Sequence, residues 1–184
     1  MEADEVLLER VRRGETAAFD ELYRRYSRRL FGYIQRHLRD REEAEDLFQE
    51  VFFSVLHDRG ARFGGPGRFG GWLFTVARNA CLDRLRGARR RELRDQALQR
   101  EAGPSDPSPE ERLSQRQRVE QIRSALGALA PAQQEVLVLK QLGELTYQQV
   151  AAVLGVPEGT VKSRLHLAVR ELQRRVALSE GGAR

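Results

Sequence analysis

The stretch Thr146–Leu172, TYQQVAAVLGVPEGTVKSRLHLAVREL, decides the fold and is read here as helix, tight turn, helix. Val150, Ala151, Val153 and Leu154 recur at three- and four-residue spacing and give the first helix one apolar face. Ala151 is small where a second helix would cross closely. Gly155 supplies the backbone freedom that ends a helix, and Pro157 blocks continuation of the first one. The second helix restarts near Glu158 to Thr160, with Val161, Leu165, Ala168 and Leu172 inward and Lys162, Ser163, Arg164, His166 and Arg170 outward. Cations and hydroxyls on a helix backed by a short elbow suit the major groove of DNA, where Arg reaches guanine and Ser, Thr or Lys reach phosphates and base edges. A solvated helical hairpin is the competing reading.

The bulk properties fit a polyanionic partner. The chain of 184 residues carries a formal net charge of +5, and nearly all its cations are arginine, the only lysines being Lys140 and Lys162. Cys81 is the sole cysteine, which excludes an internal disulfide and a cysteine-built zinc site. His37, His57 and His166 are scattered, without ligand-spaced partners. The expectation is therefore no metal, no cofactor and no catalytic residue. The N-terminus is acidic and amphipathic, unlike a signal peptide, and no apolar run approaches the roughly 20 residues that cross a membrane. A cytoplasmic protein without membrane insertion is expected.

Upstream of the hairpin the chain reads as helices throughout. A short leading helix around Val6–Val11 ends near Gly14. Thr16 looks like an N-cap for a long helix with Phe19, Leu22, Tyr23, Tyr26, Leu30, Tyr33, Ile34 and Leu38 on its apolar face. Asp40, with Glu43 three residues on, opens the next helix, whose apolar face is Ala44, Leu47, Phe48, Val51, Phe52, Val55 and Leu56. Its other face carries Glu42, Glu43, Glu45, Asp46, Gln49 and Glu50, an acidic surface in a basic protein. That surface is either solvated or a docking face for a basic partner.

Asp58–Gly71 is read as a glycine-dense loop studded with Arg62, Phe63, Arg68 and Phe69. No Gly-Lys-Ser or Gly-Lys-Thr follows, so it is not a nucleotide-phosphate loop. Cations and aromatics on such a loop are what single-stranded nucleic acid uses, against a plain surface loop anchored by two Phe. Trp72 opens a helix burying Leu73, Val76, Ala77, Ala80, Cys81 and Leu85, and seven arginines fall between Arg78 and Arg94. That cation density suits a nucleic-acid backbone, with a solvated basic helix as the alternative. Between residues 95 and 112, Gly103, Pro104, Ser105, Asp106, Pro107, Ser108 and Pro109 mark a linker. About 15 extended residues span roughly 50 Å, more than the ~34 Å of one duplex turn. A further helix is expected from Glu110 or Glu111, and another from Pro131 to Gly143. With no period-two pattern, the fold class is all-α: two small helical domains, 1–94 and 113–178, joined by a flexible linker at 95–112.

Four strings, AFDELYRRYSRRL, DREEAEDLFQEVFFSV, GWLFTVARNACLDRLR and LTYQQVAAVLGVPEGTVKSRLHLAVREL, stand in this order. Together they resemble a bacterial RNA polymerase sigma factor, most closely the extracytoplasmic function (ECF) subfamily of the sigma-70 family, over about Phe19 to Arg94 and Leu126 to Arg174. The resemblance implies sigma regions 2 and 4. It implies that Asp46, Gln49 and Glu50 bind the polymerase core, whose beta-prime and beta subunits become expected partners. It places Phe63, Arg68, Trp72, Arg78, Asn79 and Asp83 on the minus-ten element of promoter DNA, where the family captures an unpaired base. It places Thr160, Lys162, Ser163, Arg164 and His166 on the minus-thirty-five element. An anti-sigma protein is a further expected partner. The sequence departs from the family's frequent basic residues at Leu167 and Val169, and its loop holds the flexible run GGPG. A helix-turn-helix regulator that does not bind polymerase is the alternative reading; a nuclease lacks any convergent ligand set.

Overall fold

The computed structural model describes residues 2–38, 40–57, 69–96 and 125–181. The helices bounded within these segments are numbered here in chain order: α1 Asp4–Arg12, α2 Thr16–His37, α3 Arg41–His57, α4 Phe69–Gln96, α5 Pro131–Gln141, α6 Tyr147–Leu154 and α7 Glu158–Gly181. No strand occurs among the described residues. Residues 95 and 96 of the linker expected at 95–112 belong instead to α4, and the rest of that linker lies outside the described residues, as does the helix expected from Glu110 except for a helical end at 125–127.

The apolar spacing does the folding. Leu22, Leu30, Tyr33 and Ile34 of α2 are fully buried against Leu47 and Val51 of α3 and against Leu73, Phe74, Ala77 and Cys81 of α4. Helix α1 closes this bundle through Leu7, Leu8 and Val11, and Arg25 of α2 reaches Asp4 at 2.6 Å. Gly14, at φ 86°, makes the turn between α1 and α2. Helix α2 begins one residue earlier than an N-cap at Thr16 requires. Glu15 takes the cap position, yet its carboxylate is drawn to Arg10 at 2.9 Å, so the helix starts without a side-chain cap. Helix α3 is capped as its sequence implies, the Glu43 N–H donating to Asp40 Oδ1 at 2.9 Å.

Helix α4 departs from the sequence reading. It begins at Phe69, so Gly70 and Gly71 are helical, not part of the loop. The reason is space. A Cβ on Gly70 would stand 3.1 Å from the Tyr26 hydroxyl and 3.5 Å from Leu145, and one on Gly71 would stand 3.5 Å from Gln149. Gly70 is the tight position, against Tyr26, whereas a side chain at Gly71 would meet Gln149 of α6 at ordinary contact distance; each glycine costs the helix about 1 kcal/mol.

The consequence is one continuous apolar core. Val136, Val138 and Leu139 of α5, Leu145, and Val150 and Val153 of α6 belong to the same buried cluster as Leu22, Leu73 and Phe74. A tether would permit wide separation of the two halves; in this structure they are packed together. Gly143 sits in the seam, where an added Cβ would lie 2.5 Å from the Leu139 carbonyl oxygen and 3.3 Å from Phe74. Because the closer obstacle is backbone, Gly143→Ala is expected to lower stability by about 1–3 kcal/mol, the usual range for overpacking. A urea midpoint equal to that of the unaltered chain would show that the seam relaxes freely.

Candidate nucleic-acid and polymerase interfaces

On α3 Ala44, Leu47, Val51, Phe52 and Val55 turn inward and the acidic face outward, as helical periodicity demands, while Leu56, expected on the apolar face, and Phe53 are exposed. Asp46, Gln49 and Glu50 are all exposed. Glu50 pairs with Arg84 of α4, and Arg41 pairs with Glu45 at 2.7 Å. Beside this face runs an aromatic groove that periodicity alone concealed. Tyr23, counted in the sequence with the core, is 43% exposed, and its ring stands 5.9 Å from Phe48, itself 5.8 Å from Phe31. A phenol tolerates that half-wet position because it is apolar in body and polar at its tip. Arg28, Phe31 and Gln49 line the same groove.

Helix α4 splits its candidates. At about 3.6 residues per turn, Asn79 and Asp83 fall on the stripe of Trp72, whereas Arg78 points roughly a third of a turn away. Trp72 is half-buried, stacked at a tilt on Phe69 with ring centres 5.9 Å apart, so it is partly core and partly accessible. Asn79 and Asp83 are exposed, and Asp83 pairs with Arg86 at 3.1 Å. Arg78 turns inward to Glu135 of α5, its Nε 3.3 Å from Oε1 but without hydrogen-bond alignment. Phe63 and Arg68 lie outside the described residues.

The helix-turn-helix is built as its sequence dictates. Thr146 caps α6: its hydroxyl accepts from the Gln149 N–H at 3.2 Å, and the Gln149 side chain accepts from the Thr146 N–H at 2.7 Å. Gly155 ends α6 in the left-handed conformation, at φ 65°. Val161 and Ala168 of α7 are fully buried, which fixes the opposite face outward. On that face Lys162, Ser163 and His166 are exposed, and Thr160 and Arg164 are half-buried. Lys162 is held by Glu158 at 2.7 Å and lies 5.6 Å from the Tyr147 ring centre. The Ser163 hydroxyl donates to the Thr160 carbonyl at 3.0 Å. Arg164 and His166 form no ion pair among the described residues and face outward uncommitted. Leu167 and Val169 are exposed, a further apolar part of this surface.

Among the described residues no group of His, Cys, Asp and Glu is disposed to hold a metal ion, and no helix is long and apolar enough to cross a membrane.

An acidic helix, a tryptophan-led basic helix and a capped helix-turn-helix on one chain form the pattern that the family comparison matches. Sigma-70 region 2 matches residues 22–91, and sigma-70 region 4 matches residues 119–172. The chain is 32% identical to RNA polymerase sigma factor CarQ of Myxococcus xanthus, over 90% of this chain and 93% of that protein. Further relatives, matched over about 90% of the chain, are named ECF RNA polymerase sigma factors. Two solved structures share the fold. CnrH in complex with the cytosolic domain of CnrY superposes with TM-score 0.68 at 23% identity, covering 96% of this chain and 99% of CnrH. The sigma factor RpoE in complex with the anti-sigma factor NepR, from Bartonella quintana, superposes with TM-score 0.58 at 24% identity, covering 80% and 89%. The chain belongs to the sigma-70 family of RNA polymerase sigma factors, in its ECF subfamily.

Proposed function

We propose that the chain binds the RNA polymerase core through the acidic face of α3, grips the melted minus-ten element with the Trp72 stripe of α4, and reads the minus-thirty-five element with α7. It carries out no bond-making or bond-breaking of its own; the polymerase supplies the catalysis. The observation that carries this reading is the order of an acidic helix, a basic helix and a cationic helix-turn-helix on a chain matched by both sigma regions. Asp46, Gln49 and Glu50 offer exposed carboxylates and an amide to a basic partner, with the Tyr23–Phe48 groove alongside as an apolar anchor. Trp72 offers a stacking surface, and Asn79 offers an amide for the edge of a splayed base. Thr160, Lys162 and Ser163 supply phosphate and edge contacts, and Arg164 and His166 the uncommitted donors. The work is done in the cytoplasm, and an anti-sigma protein is its expected inhibitor.

Run-off transcription with core polymerase on a randomised promoter pool tests the whole reading. Transcripts that depend on the chain, from promoters sharing two spaced elements, are expected; no dependence on the chain would reject it. In the same assay Arg164→Ala is expected to relax base preference in the upstream element by about 1–3 kcal/mol at one position, the worth of a bidentate base contact. Uniform weakening on all sequences would instead make Arg164 a phosphate contact.

A further inference from the structure

Helix α7 carries a leucine beside its outward polar stripe that none of the proposed contacts uses. At about 100° per residue, Gly159, Ser163, His166 and Arg170 fall within about 60° of one another, directly opposite the buried Val161 and Ala168. Ser163, His166 and Arg170 are exposed, and a Cβ on Gly159 would meet nothing within 4 Å, so the stripe is open along its length. Leu167 lies about a fifth of a turn from the middle of that stripe and is 51% exposed. Ser163 stands about one turn before it and Arg170 about one turn after it. Val169 flanks the other side, is 39% exposed, and turns further from the stripe.

A single exposed leucine is ordinary on a protein surface; the charge around this one defines what covers it. Arg170 forms no ion pair among the described residues. Arg174 donates two hydrogen bonds to Glu171, at 2.9 and 2.7 Å, and Arg175 donates to the same carboxylate at 2.7 Å. Around Leu167 the cations thus outnumber the carboxylate that partners them. A partner seated on Leu167 must be anionic and must present an apolar group between its charges. In the major groove of duplex DNA that group is the C5 methyl of thymine, the one apolar substituent that the four unmodified bases offer there. The methyl is the outermost group of the pyrimidine in that groove, on the side of its own strand, so a side chain on the flank of a reading helix meets it while the central stripe meets polar base edges. Continuity of Leu167 with Ser163 and His166, both assigned to the upstream element, favours DNA over an acidic protein.

We propose that Leu167 is a specificity-determining residue that selects thymine in the upstream element by its methyl group, with Arg170 anchoring a neighbouring phosphate. The proposal rests on the reading in which α7 engages the minus-thirty-five element. Leu167 has no side-chain donor or acceptor, so it discriminates by burial and fit. Packing against a thymine methyl removes apolar surface of both partners from water. Cytosine, with a hydrogen at C5, leaves the leucine facing a gap and sets an amino group nearby that the leucine cannot satisfy. Arg170 contributes affinity and register without choosing a base, as phosphate contacts do.

The test uses holoenzyme assembled from core polymerase and the full chain, on a promoter selected from the randomised pool. Each thymine of its upstream element is replaced in turn by uracil, which lacks only the C5 methyl. One replacement is expected to weaken binding about fourfold, the worth of one buried methyl group. Leu167→Ala is expected to bind the thymine promoter less tightly and to treat thymine and uracil alike at that position. Leu167→Met, which keeps the apolar area, retains the distinction. Arg170→Ala is expected to weaken binding on all sequences alike and to reduce the salt slope by about one. Upstream elements without thymine, uracil replacements without effect throughout the element, or a uracil effect that survives Leu167→Ala overturn the proposal. Loss of transcription by Leu167→Ala with promoter binding intact also overturns it and gives the leucine to a protein partner. An unchanged salt slope overturns the role of Arg170. The sigma-factor reading is judged apart, since transcripts that depend on the chain appear whichever base Leu167 meets.

Discussion

Replacing Phe74 by alanine is expected to destabilise the protein by about 3–5 kcal/mol, the usual cost of emptying a buried aromatic site. Phe74 is fully buried, stands edge-on to Tyr33 with ring centres 5.4 Å apart, and touches the seam at Gly143. Tyr33 cannot readily slide into the space, because its hydroxyl is committed to Glu135. Urea unfolding followed by circular dichroism measures the loss. The same substitution also reports on how the two halves sit. If region 4 spent most of its time away from α4, one flank of Phe74 would face water, and the loss would shrink to about 1 kcal/mol or less, because burial and packing together set the cost.

Reversing the charge of Asp46 is expected to weaken binding to the polymerase core by about a hundredfold. Asp46 is exposed on the outward face of α3, while the buried face is held by Ala44, Leu47 and Val51, so the change leaves the helix packing alone. A like charge set against a basic partner costs several kcal/mol, of which about 2.7 kcal/mol corresponds to the hundredfold. Glu50 is a weaker test, since Arg84 already neutralises part of it within the chain. Binding measured by fluorescence anisotropy for Asp46→Arg, with duplex binding by α7 as the control, decides the matter. Equal affinity for the core in both proteins would move the docking face elsewhere, with the Tyr23–Phe48 groove the next surface to probe.

The local features of the fold were legible because local rules govern them. The three-and-four spacing located α2, α3 and α7, and Gly155 and Pro157 delimited the turn of the helix-turn-helix through backbone chemistry. What escaped was non-local. Gly70 and Gly71 read as loop residues because glycine disfavours helices, yet they are helical, and Gly70 leaves room for the Tyr26 ring beside that turn. His37 read as solitary because its partner Glu135 stands 98 residues further along. Arg78 read as a DNA contact beside Asn79, although one step along a helix turns a side chain by about 100° and carries Arg78 to a different neighbour. Tyr23 carried the spacing of a core residue; only the way α3 crosses α2 leaves it half in water.

Cys81 has a practical consequence. It is the single thiol of the chain, fully buried, and burial foremost, with the nearby Glu135 carboxylate, pushes its pKa to about 12. Hardly any thiolate exists there at neutral pH, so oxidants and alkylating reagents find little to attack while the helices stay packed. Responsiveness to oxidative stress would have to be lent by another molecule. For the experimenter, the rate at which Cys81 takes up a thiol dye becomes a built-in clock for transient opening of α4.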